Sequence, residues 1–394
     1  MGDNGSMNVD ITIVGGGLAG AALAVALAKA PLSIALVEGR APARPAGWDA
    51  RIYAISPANV AFLEGIGVWK HLDGARIQPV ESMDVRGDGD GRLQFSAYDS
   101  GVSALASIVE GSAMQCELWE NARRQANLEL LCPARPAALA FAADAATLTL
   151  EDGRRIRSRL VVGADGADSW TRQAAGIAVS TKAYDQLGVV ANFRTGVPHH
   201  GTAFQWFRGG DVLVWLPLPG DLISMVWSTP TAHGQSLLAA SPEALAAEVA
   251  HAGGERLGAL EVVTPAAGFP LRLMRAAHAV APRLALIGDA AHAIHPLSGH
   301  GINLGFQDAA SLAAVLADKP AHVDAGDLGL LRRHERARKE DVLALQTTTD
   351  ALHRLFAVPA SPAGLLPTLR NVGMSFTDRL APVKNLLVRY ALAS

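Results

Sequence analysis

The chain has 394 residues, 50% of them hydrophobic, and a formal net charge of -3. That length is enough for two domains of ordinary size, and the near-neutral balance argues against a polyanion-binding surface, so nucleic acid is not an expected partner. The two cysteines, Cys116 and Cys132, stand too far apart for a CxxC pair or a metal cluster, and such sparse use fits a reducing cytoplasmic setting.

Met1 to Asn8 is polar and reads as a frayed leader. The first structured unit is a short strand from Asp10 to Val14, then GGGLAG, an alanine-rich helix to about Ala30, and a strand from Ser33 to Val37 that ends at Glu38. This is a dinucleotide fingerprint in its proper βαβ setting. Gly15 permits the tight turn, Gly17 lets a pyrophosphate approach the backbone, and Gly20 lets helix and strand pack closely. Glu38 follows about 20 residues on, where a carboxylate takes the hydroxyls of an adenosine ribose. The apolar run from Ile11 to Ala28 belongs to this unit rather than to a membrane span or signal, because Gly15, Gly16, Gly17 and Gly20 interrupt it and another strand follows.

After a Pro- and Gly-rich loop, Arg51 opens a strand to Ser56, and Pro57 starts a helix to about Ile66. Arg51 is placed either to reach cofactor phosphates or a ring edge, or to make a surface ion pair. Val80 to Phe95 reads as a hairpin around Gly87–Gly91, an acidic turn that lacks the length and terminal Glu of a calcium loop. An amphipathic helix spans Ser112 to Gln125, and a strand runs from Asn127 to Leu131. Alternation at Ala145–Leu150 and Ile156–Val162 leads into GADGADS, where Asp165 and Gly166 meet a helix start as a cofactor contact or as a simple cap. Between Tyr184 and Pro270, strands at Leu187–Phe193, Thr202–Phe207, Asp211–Leu216 and Leu222–Ser228 predict an antiparallel or mixed sheet forming a second domain. Its Phe204, Trp206, Phe207, Trp215 and Trp227 suit core packing one by one, and collectively an apolar lid over a ring-bearing substrate. Pro265 to Leu273 reads as the connection back.

The stretch LIGDAAHAIHPLSGHGINLGFQD, Leu286 to Asp308, organises the rest. Leu284–Ile287 is a buried strand, Gly288-Asp289 closes it, and Gly299-His300-Gly301 opens a helix from Ile302 toward Leu316. Asp289 can accept hydrogen bonds from ligand hydroxyls, and unpaired N–H groups around Gly301, Ile302 and Asn303 can hold an electron-rich oxygen or ring edge. The alternative is a glycine-rich connection whose Asp caps a helix. His292, His295 and His300 raise the possibility of a metal, but the segment lacks an acidic partner set. A charged helix is predicted over Leu328–Asp341. Beyond it, Leu352–Ala393 mixes apolar residues with Arg370, Arg379, Lys384 and Arg389, a pattern of helical packing or of a basic face for an anionic membrane.

In chain order, GGGLAG with Glu38, GADGADS and GDAAHAIHPLSGHGINLGFQD resemble the class A FAD-dependent aromatic-hydroxylase monooxygenases, and the last is similar to the branch that hydroxylates ubiquinone precursors. ARIYAIS, FLEGIGVW, Phe269-Pro270-Leu271 and the tail LRNVGMSFTDRLAPVKNLLVRYALA extend the likeness over nearly the whole chain. The departure is Gly299-His300-Gly301, where the branch usually reads Gly-Gln-Gly. The resemblance implies an α/β fold: a Rossmann-like FAD-binding domain of the para-hydroxybenzoate-hydroxylase type over 8–180 and 275–325, with excursions near 75–110, a mixed β-sheet substrate domain over 181–274, and a helical region over 326–394.

It further implies a noncovalent FAD, with Gly15, Gly17 and Gly20 at the pyrophosphate, Glu38 at the ribose, Arg51 near the cofactor, and Asp289 at the ribityl chain. Asp165 and Gly166 match a motif serving both FAD and NAD(P)H, while Gly299, Gly301, Ile302 and Asn303 line the flavin. Pro296, His300 and Gly301 are the expected flavin and substrate environment, with His300 assisting polarisation of a phenol. NAD(P)H enters as a transient reductant, since no second GxGxxG is visible, and O2 is the co-substrate, carried by the flavin as a C4a-hydroperoxide. The implied partners are a hydrophobic prenylated phenol substrate and quinone-biosynthesis proteins, met in the cytoplasm or peripherally at the inner face of the membrane. A hydroxylase of another small aromatic, a related isoprenoid flavin reductase, and a non-catalytic flavoprotein subunit are the alternatives.

Overall fold

In the computed structural model, the described residues are 6–89, 91–294 and 301–357. Among them the strands form two large sheets and a three-stranded one. The first large sheet has a parallel centre, with Ser6–Val14 between Arg155–Gly163 and Ile34–Val37, Leu128–Leu131 beyond the latter, and Leu284–Leu286 beside Arg155–Gly163. Its central strands end in buried, largely apolar runs such as Ile11-Thr12-Ile13-Val14, covered on both faces by helices and strands. Ser6, Met7 and Asn8, expected in a frayed leader, are strand residues in register with Arg155, Ile156 and Arg157. Backbone pairing there needs no apolar side chains, so hydropathy could not reveal it.

The second sheet runs in the order His292–Ala293, Ala267–Ala276, Val179–Thr195, Leu222–Pro230, Asp211–Leu218, Thr202–Arg208, Ser82–Arg86, Arg92–Ser96. The predicted connection from Pro265 to Leu273 is therefore corrected, since most of it is a strand antiparallel to Val179–Thr195. A register shift between Ala183 and Leu187, opposite the Pro270–Arg272 stretch, breaks the alternation by which strands are read. The same irregularity hides the first half of the 17-residue Val179–Thr195 strand, of which the sequence showed only Leu187–Phe193.

Alternation sorts this sheet's two faces. Phe204, Trp206, Trp215 and Trp227 join Val189, Phe193 and Met225 in a core covered by Leu237 of the helix Thr231–Ala239 and by Leu245 and Val249 of Pro242–Ala252. These four aromatics are core, with Trp206 meeting Trp215 edge-on at 4.8 Å between ring centroids, while Phe207 packs on the opposite face with Val85 and Val212. The opposite face packs Leu216, Leu218 and Leu222 against Ile52, Val80 and Ile108 of the three-stranded sheet. It is thus the face turned toward the nucleotide-type unit.

The helix Leu328–Ala357 continues well past the predicted end at Asp341. Its Thr347-Thr348-Thr349 run has poor intrinsic propensity, but Thr349 is buried with Oγ1 donating to the Leu345 carbonyl at 2.8 Å, so packing overrides propensity. Among the described residues no helix is long and apolar enough to cross a membrane. The basic tail from 358 to 394, with Arg370, Arg379, Lys384 and Arg389, lies outside the described residues.

Candidate functional site

The parallel strands of the first sheet end level with one another, Val14 in register with both Gly163 and Val37, and Gly163 with Leu286. Immediately beyond these ends stand Gly15–Gly17, Glu38, Ala164–Gly166 and Gly288–Asp289. One sheet edge therefore gathers three motifs that lie far apart in sequence, at the carboxyl ends of strands where ligands of such sheets sit.

The fingerprint glycines have distinct steric duties. Gly15 is left-handed at φ 105°, and a Cβ there would stand 2.4 Å from the Ala164 carbonyl oxygen. A Cβ on Gly20 would fall 2.0 Å from the Gly15 oxygen, so the helix Leu18–Ala26 can close on the turn only without a side chain. At Gly17, the N-cap of this helix, a Cβ would meet nothing within 4 Å. That open space faces the unpaired first-turn N–H groups, an anion-binding arrangement. Glu38 is tied to the same turn, Oε2 accepting from Gly16 N at 2.6 Å and Oε1 from Arg40 N at 3.1 Å.

Gly288, left-handed at φ 58°, brings the second motif against the first: a Cβ on it would touch Ala19 Cβ at 3.3 Å, and one on Gly305 would lie 3.4 Å from the same atom. Asp289 sits in the short 3-10 turn Gly288–Ala290. Its flanking residues are buried, whereas Asp289 itself is open to solvent. Enclosure by protein on its other sides raises its carboxyl above the ordinary range, against the opposing pull of His292 and Arg272. Its openness leaves the carboxylate available to a ligand.

The turn is gripped from two directions. Asp308, buried in the helix Gly301–Ala317, accepts from Gly288 N at 3.0 Å and from His292 Nε2 at 2.7 Å through Oδ2, and from Arg338 Nε at 2.9 Å through Oδ1. Burial alone would raise the Asp308 carboxyl, but His292 and Arg338 reverse this and hold it below the usual range. Burial likewise works to lower His292, and the Asp308 carboxylate overcomes it to raise the imidazole. On the other side, buried Arg172 donates to the Ala290 carbonyl at 2.9 Å and to that of Ala167 at 3.0 Å.

Asp165 is engaged within its own turn, one carboxylate oxygen accepting from Ser169 Oγ and the other from Thr171 N at 2.8 Å and Thr171 Oγ1 at 2.9 Å. Those bonds are the capped helix start that the sequence offered as an alternative. Gly166 is left-handed at φ 81°, with open space where a Cβ would go. Asn303 turns its side chain inward, its amide oxygen accepting from Ser56 N at 2.9 Å and Asn59 Nδ2 at 3.0 Å, and its Nδ2 donating to the Ala54 carbonyl at 2.8 Å. This fixes the start of Gly301–Ala317, whose first-turn N–H groups are those of Gly301, Ile302 and Asn303. Arg51 has a side chain 66% exposed, with only a 3.8 Å approach of Nε to Asp49 Oδ1. Next to it, half-buried Tyr53 has its phenol raised by burial and further by Asp289 and Asp49, against Arg51. The positions Pro296, Gly299 and His300, like His295, lie outside the described residues.

Sequence reasoning missed Tyr53, Arg172, Asn59 and the pairing of Asp308 with His292 and Arg338. A polar residue midway along an apolar helix face, as at Asp308, was the one visible signal. The described residues fit an FAD: a helix N-terminus at Gly17 with space beside it, a carboxylate at Glu38 at the end of the second strand, an available carboxylate at Asp289, and the start of another helix at Gly301.

The sequence profile of the FAD binding domain family matches residues 8–342. The chain belongs to this family. Over 388 residues it is 36% identical to the ubiquinone hydroxylase UbiL of Rhodospirillum rubrum, covering 98% of this chain and 90% of that one. It is 33% identical to the 3-demethoxyubiquinol 3-hydroxylase of Escherichia coli strain K12, covering 97% and 98%. The crystal structure of p-nitrophenol 4-monooxygenase PnpA from Pseudomonas putida DLL-E4 shares the fold at a TM-score of 0.80, with 20% identity and 99% of both chains covered. The chain is thus an FAD-dependent aromatic-ring monooxygenase of the ubiquinone-biosynthesis hydroxylase branch, with the para-hydroxybenzoate-hydroxylase type of fold. FAD is its cofactor, NAD(P)H its reductant and O2 its co-substrate.

Proposed function

We propose that this monooxygenase hydroxylates the aromatic ring of a polyprenylated phenol on the way to ubiquinone. The observation that carries the reading is the convergence of Gly17, Glu38 and Asp289 on one sheet edge, in a molecule whose second β-sheet carries apolar Leu216, Leu218 and Leu222 on the face away from its helices. When bound, the flavin supplies the O2-activating redox chemistry that no side chain provides. The balanced reaction takes a ring C–H, O2, NAD(P)H and a proton to a ring C–OH, water and NAD(P)+.

The remaining work belongs to the chain. Gly15–Gly17 and the Leu18–Ala26 helix hold the pyrophosphate, Glu38 the adenosine ribose, and Asp289 the ribityl hydroxyls. First-turn N–H groups of Gly301, Ile302 and Asn303 stabilise negative charge at the edge of the flavin ring. Val214, Leu216 and Val226, half-buried on the sheet face opposite the Trp215 core, seat an apolar ring and keep water from it. A prenyl chain of this kind resides in lipid, so the reading places the encounter with substrate at a membrane surface.

Deletion of the gene in its native host, followed by mass analysis of quinone intermediates, tests the assignment. A precursor lacking one ring hydroxyl should accumulate and disappear on complementation. Normal quinone levels in a host without a redundant hydroxylase would remove the pathway assignment, and oxygen-dependent NAD(P)H use on an unrelated aromatic would move it to another substrate.

A further inference from the structure

The helix Leu328–Ala357 lays one row of side chains across two parts of the molecule. His334 Nδ1 lies 3.0 Å from Ser311 Oγ, and Arg338 donates to Asp308 at 2.9 Å and through Nη2 to Gln307 Oε1 at 2.7 Å. One turn on, Val342 packs in a buried cluster with Leu304 and Leu345. Gln346 Nε2 then donates to the Met274 carbonyl at 3.1 Å and the Ala293 carbonyl at 3.4 Å, and Asp350 accepts from Lys182 Nζ at 2.6 Å and the Tyr184 hydroxyl at 3.1 Å. Residues 334, 338, 342, 346 and 350 recur every four positions, so they share a face. The first half of that face grips the helix Gly301–Ala317 and the second half grips the edge of the other sheet.

Between them sits Asp308, with one oxygen on Arg338 and the other on Gly288 N and His292 Nε2. Asp308, His292 and Arg338 are respectively 2%, 7% and 9% exposed. A charge set this deeply buried is tolerated only while every member is paired. Arg338 makes its contacts with Asp308, Gln307 and Asp341, one bond removed from the turn that carries Asp289.

We propose that Asp308 and Arg338 are positioning residues for the cofactor: the seated long helix fixes Asp308 through Arg338, and Asp308 fixes the Gly288–Asp289 turn so that Asp289 is presented to the flavin's ribityl chain. The inference rests on the reading of Asp289 as a flavin ligand. It makes the long helix a determinant of FAD affinity through a hydrogen-bonded relay.

The test is a double-mutant cycle on full-length protein, reading the FAD dissociation constant by flavin fluorescence at a temperature where circular dichroism shows every variant folded. Arg338→Met is expected to weaken FAD binding by about tenfold in the wild-type background and by less than about twofold in Asp289→Ala, because its effect is transmitted through Asp289. Arg338→Lys, which keeps a cation on Asp308, is expected to recover most of the affinity. Should Arg338→Met not fold, Asp308→Asn, nearly equal in volume, runs the same cycle from the other side of the relay. A purely structural role predicts a lower Tm with unchanged FAD affinity, or equal losses in both backgrounds, and either result overturns the proposal. Wild-type protein that binds no FAD after reconstitution overturns the reading of the site itself, whereas tight binding by wild type and Arg338→Met alike overturns only the relay.

Discussion

At the scale of single residues, two kinds of carboxylate do different work on the same edge of the sheet. Asp289 is open and lightly partnered, while Asp308 is enclosed and fully partnered. Replacing Asp289 with Ala removes hydrogen bonds to a ligand and little else, so FAD affinity should fall by roughly 10- to 100-fold, the equivalent of about 1.5–3 kcal/mol for bonds to a charged group. Thermal unfolding of the apoprotein should hardly change. An FAD titration showing unaltered affinity would return Asp289 to the role of a turn residue.

Asp308→Asn should, besides weakening FAD binding through the turn it holds, destabilise the apoprotein by about 3–5 kcal/mol because buried cations lose their counter-charge. The pH dependence follows from the two shifts. Asp308 is depressed, so its contribution is present above the ordinary Asp value and lost as pH falls through the lower folded one. His292 is raised, so its contribution is present below the ordinary His value and lost as pH rises through the higher folded one. Both shifts describe one contact and count once. The stability gap between wild type and Asp308→Asn should be widest between about pH 4 and 6.5. It should narrow in more alkaline solution without closing, since Arg338 stays charged. A gap that is flat from acid to alkaline pH, measured by denaturant unfolding, would contradict the pairing.

At the scale of elements, the fingerprint was legible because its demands are steric and local. Gly15 and Gly20 leave no room for a side chain where helix and strand close, and the surrounding apolar runs announce the strand and helix they join. The structure separates these glycines from Gly17. Gly17→Ala should fold normally and bind FAD more weakly, because its Cβ would enter space that no atom of the described residues occupies. Gly20→Ala, driven against the Gly15 oxygen, should give little folded protein. Soluble yield, circular dichroism and bound-flavin content of the two variants distinguish them, and equal folding defects would contradict this division. Other elements were illegible for physical reasons. Ser6–Asn8 is held by backbone pairing, Ala267–Ala276 is masked by proline and an irregular register, and Arg338 looks like any cation of a charged helix because its partner lies 30 residues away.

At the scale of the whole molecule, the three-stranded sheet joins the two large ones: its Ile52, Val80 and Ile108 pack on Leu216, Leu218 and Leu222 of the second sheet, and its Tyr53 lies close enough to Asp289 for that carboxylate to raise the phenol. Asn192, buried in that second sheet, donates to the Asp49 carbonyl at 2.8 Å, just ahead of Arg51 and Tyr53. The aromatic-rich strands divide their rings between two faces: Trp215 and Trp227 are packed beneath helices, while Phe207 turns to the opposite face and packs with Val85 and Val212. Composition could not reveal this, since alternation identifies two faces without saying which the helices will cover. The central claim is that these parts together insert one oxygen atom into a phenolic ring. The most direct measurement is turnover of FAD-loaded protein with NAD(P)H and a prenylated phenol under 18O2, followed by mass analysis of the product. The account predicts a product heavier by one 18O atom, formed only when reductant and oxygen are both present. Oxidation of NAD(P)H without labelled ring product, across prenylated and unprenylated phenols alike, would contradict it.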